Sequence, residues 1–146
     1  MYKVCFADDE PIIFKVLNAL VDWADVGCQI VGTATDGVEA LSLYEKEKPD
    51  FIIIDIKMPL MDGLSCVKYI REKYKRVKIV LLTASDSFES AQEALNLGAN
   101  GYLLKPVSRE SINKIVSKIT AELNQETSRA EESSSGSEEL LLQKEL

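Results

Sequence analysis

The chain contains no histidine. That absence removes the commonest general base, the imidazole of zinc sites, and any phosphohistidine carried by the chain itself. Cysteine is scarce as well. Cys5, Cys28 and Cys66 are odd in number, lack metal-ligand spacing and sit within apolar patterns, so they read as buried reduced thiols. Long apolar runs are missing: Phe51 to Ile54 and Ile79 to Leu82 fall far short of the ~20 residues of a membrane span, and no basic segment leads into a signal-like run. A cytoplasmic protein with no membrane contact is expected. Basic residues are outnumbered, with 17 Lys and Arg against 24 Asp and Glu and a net charge of −7. Nucleic-acid binding needs clustered Lys and Arg, so any DNA contact must come from outside this chain. The chemistry left open uses carboxylates, hydroxyls, amides and lysine.

What is present is the material of one domain: 146 residues, 46% hydrophobic and 28% charged. Strand-like runs at Tyr2 to Ala7, Gln29 to Ala34, Phe51 to Asp55, Lys78 to Thr83 and Gly101 to Leu104 alternate with five segments of helical period. The first helix is expected from Pro11 to Trp23, with proline in the first turn where its missing N–H costs nothing. "DGVE" and "DSFE" both read as capping boxes, at Asp36 with Glu39 and at Asp86 with Glu89. The "DGVE" helix continues to about Lys46, and Gly98 is a plausible stop for the "DSFE" helix. "DGLSCVKYIREKY" places Leu64, Val67, Ile70 and Tyr74 on one face, and Ser108 opens a last helix with Ile112, Ile115, Val116 and Ile119 as its stripe. Central strands that are almost wholly apolar argue for a parallel sheet with helices on both faces. This is a doubly wound α/β domain, whose function gathers outside the carboxyl ends of the strands.

Those ends carry a consistent chemistry. The first strand runs into Asp8, Asp9 and Glu10, the third ends at Asp55, the fourth at Thr83, and the fifth is followed by Lys105 and Pro106. Two carboxylates 4 Å apart repel by roughly 4 kcal/mol at an effective dielectric near 20, so the cluster needs a cation. With oxygen ligands only, Mg²⁺ is the natural candidate, with Glu10 at the rim. A carboxylate beside such a metal can attack a phosphoryl group while the metal, a lysine, a hydroxyl and backbone amides take up the charge. Asp55 is the best nucleophile, and "KMPLMDG" after it supplies Pro59 and Gly63 for a tight loop.

The motifs "ADDE", "IIIDIKMPLMDG", "LLTAS" and "GYLLKP", in this order and spacing, resemble the receiver domain of two-component response regulators over residues 2 to about 122. The resemblance implies a flavodoxin-like (βα)5 fold, doubly wound, with a five-stranded parallel sheet in the order 2-1-3-4-5. It implies Asp55 as phosphoacceptor, Asp9 as a direct Mg²⁺ ligand, Asp8 as a metal-site acid acting through water, and the Lys57 carbonyl as the third metal contact. Thr83 resembles the switch hydroxyl, Lys105 the lysine that pairs with the phosphoryl group, Tyr102 the aromatic switch, and Lys105–Pro106 a cis peptide. Lys57 and Ser85 stand where such receivers vary and tune the phosphoryl lifetime. "VDWADVGCQIVGTATDGVEAL" and "SDSFESAQEALNLGANGYLLKPV" resemble, more narrowly, receivers that precede AraC-type helix-turn-helix domains.

The implied partners are a sensor histidine kinase, a second copy through helix 4, strand 5 and helix 5, and DNA through an effector domain outside this chain. The division expected is a receiver over residues 1–124 and an acidic flexible linker or tail over 125–146. In that tail, residues 126 to 146 hold six acids and two bases, "SSSGS" reads as flexible, and "EELLLQKEL" hints at a further helix. Two rivals are a phosphoaspartyl hydrolase, which wants a second acid where Lys57 stands, and a pseudo-receiver that binds partners without phosphorylation. In the leading reading the domain catalyses only its own modification and is not an enzyme of metabolism.

Overall fold

The computed structural model describes residues 1–84 and 88–145, with side chains described for all of these but 88 and 130–145. Five strands, β1 (Tyr2–Ala7), β2 (Cys28–Ala34), β3 (Phe51–Asp55), β4 (Lys78–Thr83) and β5 (Gly101–Leu104), alternate with helices α1 (Ile12–Leu20), α2 (Gly37–Glu47), α3 (Gly63–Lys73), α4 (Phe88–Asn96) and α5 (Arg109–Glu145). All strand pairs are parallel, and the sheet order is β2-β1-β3-β4-β5.

Successive side chains of a strand point to opposite faces, so a strand covered on both sides must be apolar at every position. Val4, Phe6, Phe51, Ile53, Val80 and Leu82 face Leu17 of α1 and Ile112, Val116 and Ile119 of α5. Their neighbours Cys5, Ala7, Ile52, Ile54, Ile79 and Leu81 face Ala40 and Tyr44 of α2, Cys66, Val67 and Ile70 of α3, and Ala94 of α4. Each fully buried Ile, Leu or Phe contributes roughly 1.5–3 kcal/mol, so these two layers hold the sheet in place. All three cysteines are free and buried in them, as expected.

Helix ends follow local chemistry in most cases. Asp36 caps α2 by accepting from the Glu39 N–H at 2.7 Å, Asp62 caps α3 by accepting from the Ser65 N–H at 2.8 Å, and the Ser108 hydroxyl accepts from the Ser111 N–H at 3.1 Å. The second half of the expected capping box is replaced: the Glu39 carboxylate accepts from the Thr35 hydroxyl at 3.3 Å. The Asp86 cap lies outside the described residues.

One helix end is corrected: α1 stops at Leu20 rather than Trp23, because Val21 turns extended and Trp23 folds back into the core, its indole N–H donating to the Leu17 carbonyl at 3.1 Å. That carbonyl is the one a continuing helix would have offered to the Val21 N–H. The expected face of α3 meets one core cluster: Val67 and Ile70 are buried in it with Cys66, and half-buried Leu64 and Tyr74, the latter just past the helix end, pack against it. The backbone of α5 is helical to Glu145, with no proline to interrupt propagation from the docked first half.

Because β1 and β3 are neighbours while their connections leave in opposite directions, the carboxyl ends of these two strands border the switch-point crevice. Two glycines let the surrounding loops close around it. A Cβ on Gly63 would lie 2.3 Å from the Asp55 carbonyl oxygen, and one on Gly37 would lie 1.8 Å from the Met61 carbonyl oxygen. Both obstacles are backbone and cannot step aside. Gly63→Ala should therefore cost on the order of 1–3 kcal/mol and lower the melting temperature by roughly 5 °C or more. Thermal unfolding followed by circular dichroism checks this; an unchanged midpoint would show that the loop yields freely.

Candidate functional site

Register decides which side chains meet. Ala7 pairs with Ile54, so the next residues, Asp8 and Asp55, emerge side by side at the crevice. Thr83 pairs with Leu104, and the Lys105 N–H donates to the Thr83 carbonyl at 2.8 Å, which sets Thr83 and Lys105 next to each other on the far side of Asp55. Every strand-end residue singled out from the sequence thus reaches one edge of the sheet.

Asp8 is fully buried. Its Oδ1 accepts from the Glu10 N–H at 2.9 Å, and its Oδ2 lies 2.8 Å from Lys105 Nζ, a charge contact rather than an aligned hydrogen bond. Asp55 is also buried; its Oδ2 accepts from Lys105 Nζ at 3.2 Å and its Oδ1 from the Lys57 N–H at 3.4 Å. Asp9 stands exposed at the mouth, and one oxygen from each of Asp8, Asp9 and Asp55 lies within 4.8 Å of the others. The buried Thr83 hydroxyl donates to the Ala84 carbonyl at 3.1 Å. The Lys105–Pro106 peptide is cis.

Glu10 contributes its backbone N–H to the site while its side chain faces solvent at the rim. The Lys57 side chain is likewise exposed, and Ser85 lies outside the described residues. Tyr102 pairs with Leu81 in the strand register and packs half-buried against the layer of α2, α3 and α4. Strand alternation puts Thr83, two residues after Leu81, on that same face. The backbone amides that orient Asp8 and Asp55 were not legible in the sequence, since any residue type supplies an N–H at those positions.

The electrostatics follow from burial. Desolvation, then the charge of Asp8, pushes the Asp55 carboxyl up to about 6, against the opposing pull of Lys105 and the Lys57 amide. Burial also opposes the charge of Lys105, but Asp8 and Asp55 outweigh it and hold its ammonium above the usual lysine value. Three carboxylates face one ammonium, and a buried Asp8 oxygen has no hydrogen bond. The donor set is oxygen throughout, which fits a small hard divalent cation.

A group whose folded pKa lies above its unfolded one binds its proton more tightly in the folded state. Stability is then lost as pH rises from the unfolded value near 3.8 to the folded value near 6. In chelator-treated protein, Asp55→Asn should accordingly be more stable than the parent, by on the order of 1–3 kcal/mol above pH 7 and by much less at pH 4. Denaturant unfolding at the two pH values measures the difference; an equal or opposite effect at both would show that Asp55 carries no such penalty.

Comparison with known proteins agrees with this geometry. The family model described as the response regulator receiver domain matches residues 4–117. The chain is 36% identical over 126 residues to the uncharacterized transcriptional regulatory protein YesN of Bacillus subtilis, covering 86% of this chain and 34% of that protein. It is 33% identical over 129 residues to the transcriptional regulatory protein HptR of Staphylococcus aureus, covering 88% of this chain and 50% of that protein. The chain thus spans half or less of the length of these two curated relatives. Among solved structures, the REC domain of AraT, a response regulator from Geobacillus stearothermophilus, superposes with a TM-score of 0.83 at 39% identity, covering 86% of this chain and 98% of that one.

Proposed function

Because the chain belongs to the response regulator receiver domain family, we propose that it is the phosphorylation-activated receiver of a two-component transcriptional regulator, with Asp55 as the phosphoacceptor. The observation that carries the proposal is the single cluster formed by Asp8, Asp55 and Lys105 at the sheet's switch point, with Thr83 alongside. Asp8, Asp9, Asp55 and the Lys57 carbonyl would hold Mg²⁺, which would supply positive charge to the phosphoryl oxygens.

An Asp55 carboxylate oxygen attacks the phosphorus of a sensor histidine kinase's phosphohistidine or of a small acyl phosphate. The new O–P bond forms as the bond from phosphorus to the donor breaks, and the electron pair leaves with the donor's imidazole or carboxylate. Water later hydrolyses the aspartyl phosphate. Lys105, already beside Asp55, pairs with the transferred group, and the Thr83 hydroxyl turns to donate to it. Tyr102, on the same sheet face, follows Thr83 inward. The domain acts as a regulator and turns over no metabolite.

The output surface is the face of α4, β5 and α5, where Leu95, Tyr102, Leu104, Ile115 and Lys118 border an open groove and Leu104 is 48% exposed. Carrying such an equilibrium from 1:99 to 99:1 takes roughly 5.5 kcal/mol of differential stabilisation, within reach of a dianion contacting an ammonium, a hydroxyl and a metal. A second copy is the partner proposed for this face. Residues 1–124 form the receiver and 125–146 the acidic link to an effector domain of AraC type, through which the intact protein reaches DNA. The cytoplasm is the proposed location, and no helix among the described residues is long and apolar enough to cross a membrane.

Incubation with Mg²⁺ and acetyl phosphate should add one phosphoryl mass, absent in Asp55→Asn. A folded parent chain with no adduct would transfer support to a phosphorylation-independent interaction domain. Sedimentation equilibrium with and without a phosphoryl mimic checks the pairing; a monomer in both states at high concentration would remove the dimer.

A further inference from the structure

We infer that the Arg71 guanidinium is the fixed pivot on which α4 turns, making Arg71 a positioning residue for the switch at the opposite edge of the sheet. The inference rests on the receiver reading above.

Arg71 lies in the last turn of α3, outside the acidic pocket. Its half-buried fork donates from Nε to the Gly98 carbonyl at 2.9 Å, from Nη1 to the Tyr74 carbonyl at 3.1 Å, and from Nη2 to the Val77 carbonyl at 2.6 Å and Asn100 Oδ1 at 2.8 Å. Asn100 passes the connection on to β4: its Oδ1 accepts from the Ile79 N–H at 2.8 Å, and its own N–H donates to the Ile79 carbonyl at 2.7 Å. One guanidinium therefore ties together the end of α3, the turn after α4, and the approaches to β4 and β5. Gly98 has a φ of +110°, and a Cβ there would lie 3.0 Å from Arg71 Cγ, so the turn is built around the arginine stem.

The rest of α4 is held lightly. Among its described side chains Ala91 and Ala94 are buried and Leu95 is half-buried, so no large described side chain of α4 is fully buried in the core. By contrast, α3 buries Val67 and Ile70, and α5 buries Ile112, Val116 and Ile119. A nine-residue helix clamped at its carboxyl end and lightly seated along its length can swing at its amino end. That amino end follows Thr83 in the chain, about 13 Å along β4 from the Ile79 anchor. Movement at Thr83 thus becomes rotation of α4 about Arg71, rather than detachment of the helix.

Lysine at position 71 keeps the charge and the stem but loses the fork, whereas aspartate at position 100 keeps the acceptor for both donors. Hydrogen exchange read by mass spectrometry, before and after phosphorylation, decides the matter. In unmodified Arg71→Lys, amides of α4 and β5 should exchange about tenfold faster while those of α1 and α2 are unchanged. Phosphoryl uptake by Asp55 should persist, but the change in α4 exchange on phosphorylation should fall to less than half that of the parent. Asn100→Asp should keep the parental pattern.

A folded Arg71→Lys with parental α4 exchange, or with the full phosphorylation response despite faster exchange, would overturn the pivot and leave Arg71 a packing residue. If the parent accepts no phosphoryl group, the receiver reading fails on its own account, and the unmodified-state exchange still judges the clamp.

Discussion

The site depends on burying two like charges side by side and balancing them with one ammonium. Asp8 and Asp55 are placed together by the register of β1 and β3, and Lys105 bridges them at 2.8 Å and 3.2 Å. Asp55 in particular is held there against a penalty that a cation offsets, since desolvation and the charge of Asp8 both favour its neutral acid. The surrounding structure holds the pair in register against this penalty. Two apolar layers fix the strands, glycines at 37 and 63 let the loops close, and backbone amides of Glu10 and Lys57 aim the carboxylates. A pocket with surplus negative charge and a poised lysine is built to gain stability from added positive charge.

The same sheet separates two mechanical roles. At its carboxyl edge Thr83 and Lys105 are neighbours of Asp55, the proposed phosphoacceptor, so an event there would be felt at once by β4 and β5. At its amino edge Arg71 and Asn100 hold the strands and the end of α4 together. Between the two lies α4, whose buried residues among the described side chains are the alanines Ala91 and Ala94. Under the pivot proposed above, rigid strands, one fixed end and one lightly seated helix would supply the two-position element that coupling between a site and a distant surface requires. Tyr102 lies on the Thr83 face of the sheet and borders the open groove along β5 and α5, where the proposed link between the two would run.

Much of this was legible in the sequence, for physical reasons. Strands buried on both faces must be apolar throughout, so "FIII" and "IVLL" announced themselves, and chemistry at the ends of such strands stood out against them. Asp8, Asp9, Asp55, Thr83 and Lys105 stood out jointly, because charge and hydroxyl close several buried strands at one edge, although each alone has an ordinary structural use such as capping the next helix. Helix ends were less legible. The early stop of α1 depends on Trp23 reaching back to Leu17, a tertiary contact with no local signal. On α3 the small Cys66 joins Val67 and Ile70 in the core, while Leu64 packs at its edge. The Arg71 clamp was invisible because three of its four acceptors are backbone carbonyls. The sequence marks neither their direction nor their convergence.

The central claim is that Asp55 is a carboxylate held at a cost that a cation relieves. Its most direct test is the carbon-13 chemical shift of the Asp55 carboxyl as a function of pH, with and without Mg²⁺. The account predicts a midpoint near 6 in metal-free protein and a clear fall once Mg²⁺ is added. A midpoint near the ordinary aspartate value, indifferent to the metal, would contradict it.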